Sequence, residues 1–403
     1  MLGVRDQKVF QPLTAVVGSL VVGLWLAFFF AQWRFGSSFW IRVLPGFDTT
    51  EAGLGPVHGS VPGVIAKCLG YVTALAIGAI LLAYYRSRIQ ASRLPEYLFS
   101  AAVAVGVTVI LFEGMITRGF EGTWYNIELM MTHPGSVPIF GQRLLLVWPA
   151  MLLKHFVPRL SYIQAFLAIQ AGGLALAVYL TGEWSALFIG RRLQFLGQVL
   201  LAIFLLPTFN YYTAHDVGVV IVYTLCFFLL YKRLYWLFGL AFCLGVLNHP
   251  NILVMVPTAA FVMWSREKRS TVAWLVLALS AAYVVIRIIL NIEVPLPRSV
   301  DLRLWWNMRE FAELPRMLIL GTFLLIPWYI CGLVAFSNAD PFLRSSSILL
   351  PIQFVVFAYY GQLNESRLFD GFIPVLTGIF LCWVRDHLSD SSRTSSPVSG
   401  SPR

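Results

Sequence analysis

Charged side chains are scarce. Only 12% of the 403 residues are Asp, Glu, Lys or Arg, about half the share of an ordinary soluble domain, and a water-facing surface cannot be built from so few. Closely spaced cysteines are missing too. Cys68, Cys226, Cys243, Cys331 and Cys382 stand singly in apolar segments, so no pair has metal or redox spacing, and the residues read as small buried side chains. A continuous basic stripe is also absent. The formal net charge of +10 comes from short Lys/Arg clusters between apolar runs, which read as membrane-topology signals and not as a nucleic-acid surface. No internal repeat and no soluble domain can be recognised.

Apolar and aromatic residues are abundant instead. The chain is 58% hydrophobic with 13 Trp, 16 Tyr and 31 Phe, and its mean hydropathy is +0.76. Such a composition predicts an all-α, polytopic integral membrane protein, because a helix satisfies its own backbone in hydrocarbon.

A span needs ~20 apolar residues, and about twelve segments come close to that length. They run over 13–33, 63–84, 97–116, 160–181, 193–209, 211–231, 234–247, 251–264, 271–291, 317–336, 345–362 and 369–384. The pair 234–247 and 251–264 is too short for two independent crossings and predicts a hairpin that turns within the membrane at Asn248-His249-Pro250-Asn251. Between Gln142 and Phe156 an apolar run interrupted by Arg143, Pro149 and Lys154 predicts an interfacial or re-entrant helix. Arg5 and Lys8 precede an apolar run to Ala31 with no clear cleavage site, which predicts an uncleaved first span. Residues 1–385 thus read as one transmembrane helical domain, and 386–403, rich in Ser, Pro and Arg, as a disordered cytoplasmic tail.

Alternation through these segments puts Arg86/Arg88/Arg93, Arg191/Arg192, Lys232/Arg233 and Arg266/Lys268/Arg269 on one side with both termini. That side is expected to be cytoplasmic, although Arg298, Arg303, Arg309 and Arg316 fall in an assigned outer segment. Most of the unusual polar residues then share the outer side: Asp48 and Glu51, Glu113, Glu121, Asn126 and Glu128, Arg143, His215 and Asp216, Asn248, His249 and Asn251, and Glu365, Arg367 and Asp370. One outer cavity accounts for them most economically, since ionisable groups at membrane depth usually face an internal cavity.

Each cluster has a plainer alternative. Asp48 and Glu51 suit a solvated loop, and Glu121 and Glu128 the wet face of an interfacial helix. Arg143 could snorkel to head groups, or clamp a phosphate with its planar fork. Asp216 could set the charge of His215 or cap the helix that begins there. Glu365 and Arg367 could pair only with each other, and Asn248 to Asn251 could be merely a helix-breaking turn.

The order of these residues resembles that of bacterial multi-spanning proteins of the GT-C superfamily, glycosyltransferases that use polyprenyl-phosphate-linked sugars. The resemblance covers about residues 118–385 and rests on Glu121 and Tyr125, on Gly141-Gln142-Arg143-Leu144-Leu145-Leu146-Val147-Trp148-Pro149, on Tyr211-Tyr212-Thr213-Ala214-His215-Asp216, on Leu247-Asn248-His249-Pro250-Asn251, and on Glu365-Ser366-Arg367 with Pro374. The chain departs from the pattern where Glu121 stands for the family's outer Asp, a part Asp48 could otherwise take, and where His249-Pro250 replaces a charged pair. What the resemblance implies is sugar transfer at the outer face of the bacterial cytoplasmic membrane. Glu121 or Asp48 would be the general base, and Arg143, His215, Asp216, Asn248, His249, Glu365 and Arg367 would bind substrate. The expected partners are membrane lipid and the lipid-linked sugar, with protein partners open. A divalent ion bridging phosphate and carboxylate would suit the chemistry, but no dedicated ligand set stands out. A transporter or flippase of a lipid-linked saccharide, or a non-catalytic membrane subunit, would use the same composition.

Single cysteines placed at positions 48, 121, 216 and 365 should all react with an impermeant thiol reagent from the same face of the membrane; reaction from opposite faces removes the shared cavity.

Overall fold

The computed structural model describes residues 127–136, 142–191, 193–205, 216–295, 335–360 and 370–393, with a few isolated positions before residue 107 and Gly332. Among the described residues the regular structure is helical and no strand occurs. The expected spans 13–33, 63–84, 97–116 and 317–336 lie outside these stretches apart from the isolated positions and residues 335 and 336.

The helices are α1 (Leu144–Phe156), α2 (Tyr162–Ile189), α3 (Phe195–Leu205), α4 (Asp216–Tyr231), α5 (Tyr235–Asn248), α6 (Met255–Trp264), α7 (Arg269–Glu293), α8 (Pro341–Ser346), α9 (Leu349–Tyr360) and α10 (Ile373–Arg393). Three stretches are long and apolar enough to cross a membrane: the 28-residue α2, the 25-residue α7, and Pro341–Tyr359, where α8 runs on into α9. At 1.5 Å per residue α2 alone is about 42 Å long.

Helix α2 outlasts its expected segment 160–181 because its polar residues sit at its ends. Ser161 opens it with a capping box, its hydroxyl accepting from the Gln164 N–H while the Gln164 side chain accepts from the Ser161 N–H. Glu183, which interrupts the apolar run, lies within one salt-bridge length of Arg191 past the helix end, at 3.6 Å.

The short pair forms the expected hairpin. Tyr235 at the start of α5 donates to Glu267 Oε1 beyond the end of α6 (2.6 Å), and Arg233 approaches the same carboxylate at 3.6 Å. The turn is a 3-10 segment, Pro250–Val254. Pro250 suits its first position because that residue needs no N–H donor, and His249 caps it, Nδ1 accepting from the Asn251 N–H at 3.1 Å. Helix α1 also answers its expectation as a short element. It packs along α2 and touches α5, with Trp148, Leu152 and Phe156 exposed along it.

At one end the bundle is locked by aromatic rings. Trp184 and Phe188 of α2, Tyr231 of α4 and Phe342 of α8 meet edge to face, with Tyr231 5.7 Å from Phe188 and 5.1 Å from Phe342 between ring centroids. Trp184 Nε1 donates to the carbonyl of Pro374 in α10 at 2.7 Å, so one side chain ties two helices 190 residues apart in sequence. Because Phe188 touches Tyr231 and Arg233 approaches Glu267, three of the basic clusters, those at Arg191, Lys232/Arg233 and Arg266/Lys268/Arg269, lie at this one end.

Helix α7 is the most exposed of the long helices. Val272, Leu279 and Leu290 are buried, whereas Trp274, Leu277, Val284, Ile288 and Ile292 are exposed. An apolar helix with such an outer face is stable against hydrocarbon and costly against water.

The tail differs from its expectation. Helix α10 continues to Arg393, eight residues past the point where disorder was expected to begin. Polar partners hold it: Asn338 donates to Asp386 Oδ2 (3.2 Å), Arg385 donates to Asp386 Oδ1 (2.9 Å), and the His387 ring lies 4.3 Å from that of Trp383.

Trp184→Ala should cost about 3–5 kcal/mol, the usual range for removing a fully buried large aromatic; thermal unfolding of the detergent-purified protein should show a clearly lower midpoint, and an unchanged midpoint would remove the lock.

Candidate functional site

The opposite end of the bundle collects polar groups. Helices α1 and α4 begin there side by side over Gly173 in the middle of α2. Val217 Cγ1 and Leu146 Cδ2 lie 3.3 and 3.6 Å from where a Cβ on Gly173 would stand. Val217 follows Asp216 directly, and Leu146 is one turn along from Arg143. Both charged residues therefore open helices whose first turns rest on the same patch of α2. Arg143 is 9% exposed and Asp216 5%. A carboxylate in the first turn of a helix is favoured by the peptide dipoles, which suits Asp216 to its place.

Asn248 joins them from α5. It is 2% exposed and lies across the bare backbone of Gly218: a Cβ there would meet Asn248 Oδ1, with Cγ at 2.7 Å and Nδ2 at 2.9 Å. Only glycine allows this approach, so Gly218 and Asn248 dock α5 onto the start of α4. Next to Asn248, half-buried His249 uses Nδ1 as an acceptor for the Asn251 N–H. The proton of the neutral ring is then on Nε2, which makes that nitrogen a donor. Gln142, beside Arg143, sends its amide to the carbonyl of Val294 at the end of α7, 2.6 Å away. That contact brings the far end of the longest exposed helix to the same region.

Of the residues expected to form the site, Arg143, Asp216, Asn248 and His249 come together in this way. Glu121, Asp48, His215, Glu365 and Arg367 lie outside the described residues. Glu128 is exposed on a helical turn over 127–132 whose other face buries Ile127, Met130 and Met131.

Three further residues belong to the same polar seam: Asp370, one of the polar residues expected on the outer side, and Gln353 and Tyr223, which were not expected there. Asp370, fully buried, stands in a 3-10 turn over 370–372 just before α10. Gln353 of α9 is 1% exposed. Tyr223 of α4 donates its hydroxyl to Asn251 O at 3.0 Å. The signal for Gln353 was a single long polar side chain within the apolar stretch Leu349–Tyr360; nothing in the sequence pointed to Tyr223.

Chemically, the seam offers a guanidinium, carboxylates, an amide and an imidazole N–H inside an apolar bundle. These groups suit an anionic, hydroxyl-bearing ligand. Among the described residues no cluster of three His, Cys, Asp or Glu could hold a metal ion. Compared with family models, curated proteins and solved structures, the chain has no significant match. The described residues form a helical bundle with three stretches long and apolar enough to cross a membrane and a buried polar seam.

Gly218→Ala should force Asn248 off the α4 backbone and destabilise the protein by about 1–3 kcal/mol, the usual cost of overpacking. Adding Asn248→Ala should recover much of that loss, since neighbouring sites are not additive; two additive losses in thermal unfolding would show that the pair does not touch.

Proposed function

We propose that the protein is a multi-spanning glycosyltransferase of GT-C-like architecture, with about twelve spans by the ~20-residue rule. It transfers a sugar from a polyprenyl-phosphate donor to an acceptor at the outer face of the bacterial cytoplasmic membrane, with both termini and the basic end of the bundle in the cytoplasm. The observation that carries the reading is that Arg143 and Asp216 open helices whose first turns rest on the same patch of α2, while Asn248 lies against Gly218. Three segments far apart in sequence deliver a buried cation and its polar neighbours to one level of an otherwise apolar bundle. The planar fork of a guanidinium at the start of α1 matches the phosphate of a lipid-linked sugar.

In the reaction, Glu121 or Asp48 takes the proton of an acceptor hydroxyl. The acceptor oxygen bonds to the anomeric carbon as the bond from that carbon to the phosphate oxygen breaks, and the electron pair leaves with the polyprenyl phosphate. Arg143 and Arg367, with the Nε2–H of His249, stabilise the charge that develops on the departing phosphate. The exposed apolar residues of α1, Trp148, Leu152 and Phe156, offer the polyprenyl chain a way in from the side.

A transporter or flippase of a lipid-linked saccharide is the second reading. What favours it is the 3-10 segment Pro250–Val254 between α5 and α6, since broken helices are a common device in transport sites.

Purified protein incubated with radiolabelled polyprenyl-phosphate sugars should transfer label. Loss in either Glu121→Gln or Asp48→Asn would name the base. Arg143→Lys, which keeps the charge and loses the fork, should lower the rate by about 10²-fold, typical of a lost oxyanion partner. Label carried across vesicles without transfer would favour the transporter.

A further inference from the structure

Two 3-10 segments meet at one side chain. Tyr223 lies seven residues along α4 from Asp216, two turns or about 10 Å deeper in the bundle. Its hydroxyl holds the Asn251 carbonyl in the first 3-10 segment at 3.0 Å. Its ring lies against Gly371 in the second, with Cε1 only 2.7 Å from where a Cβ on that glycine would stand. Gln353 Nε2 is 2.9 Å from the same point, and the Gln353 side chain hydrogen-bonds to the Tyr223 hydroxyl. The other end of that amide is unmet: Gln353 Oε1 is buried with no hydrogen-bond partner. Asp370, the residue before Gly371, adds a fully buried carboxylate.

A buried acceptor with no donor is costly, and a ligand that brings O–H groups relieves that cost. A hydroxylated ring carries such donors on adjacent carbons.

We propose that Tyr223, Gln353 and Asp370 form a hydroxyl-recognition subsite for the sugar ring of the lipid-linked donor. Gln353 Oε1 accepts from one ring hydroxyl and the Asp370 carboxylate from a neighbouring one, while Tyr223 holds the Gln353 amide and the two 3-10 segments in position. The subsite takes the identity of its ligand from the glycosyltransferase reading, and it adds that the sugar, separately from the phosphate, is recognised at the meeting point of the two 3-10 segments.

The test measures binding of two lipids to the full-length protein in detergent: polyprenyl phosphate alone, and the same lipid carrying a hexose. Gln353→Leu should weaken the hexose lipid about tenfold, the worth of one lost hydrogen bond of ordinary strength, and leave the bare lipid phosphate unchanged. Tyr223→Phe, which keeps the ring against Gly371 and frees the Gln353 amide, should weaken the hexose lipid by a smaller factor and again spare the bare lipid; it decides the matter if Gln353→Leu does not fold. Equal effects on the two lipids, or no effect on either, overturn the subsite and assign Gln353 Oε1 to a buried water. If the wild type binds neither lipid, the glycosyltransferase reading fails and the subsite with it.

Discussion

The contact between Asn248 and the backbone of Gly218 governs the polar end of this bundle. Because no Cβ stands at Gly218, α5 ends with its last side chain against the first turn of α4. The chain then turns at His249 and Pro250, and the 3-10 segment that follows lies where Tyr223 can reach the Asn251 carbonyl. The position of His249, its tautomer and the start of α6 all follow from that docking. A larger residue at 218 would have to displace an amide that is nearly fully buried, with no water at hand to take over its hydrogen bonds.

The two ends of the bundle are held by different means. At the basic end, aromatic rings close edge to face around Trp184, and its indole N–H meets a carbonyl of α10. Such packing is compact and made almost wholly of apolar rings. The other end is held by amides, a guanidinium and carboxylates, each needing a partner of the right kind in surroundings of low dielectric. Stiffness at one end and demanding polar groups at the other is the division expected of a bundle that binds a ligand near one face and is anchored near the other. Under the functional reading, the lipid phosphate and its sugar belong to the demanding end.

Much of the arrangement was legible in the sequence, for reasons that can be stated. The hairpin at 248–251 was readable because two short apolar runs around His-Pro cannot each cross a bilayer, and the chain must turn back. Helix α1 was readable because Arg143, Pro149 and Lys154 break its apolar run. The extra length of α2 and α10 was not: Glu183 and Asp386 look like breakers until Arg191 and Asn338 are seen beside them. Of the candidate site, Arg143, Asp216, Asn248 and His249 could be named because charge or amide within apolar sequence stands out. Tyr223 could not, being one of many aromatics in a chain that is 15% Phe, Trp and Tyr.

By itself the sequence determined that this chain is helical, that it carries stretches fit for a membrane, and that its polar residues are few. Those properties are set by composition and local periodicity, since hydropathy and backbone satisfaction act residue by residue along the chain. Which polar residues face one another was decided only by tertiary structure. Gly173, Gly218 and Gly371 read in sequence as ordinary small residues in apolar runs. Their role exists only once a neighbouring helix brings a side chain against the bare backbone, and that proximity depends on how the helices cross.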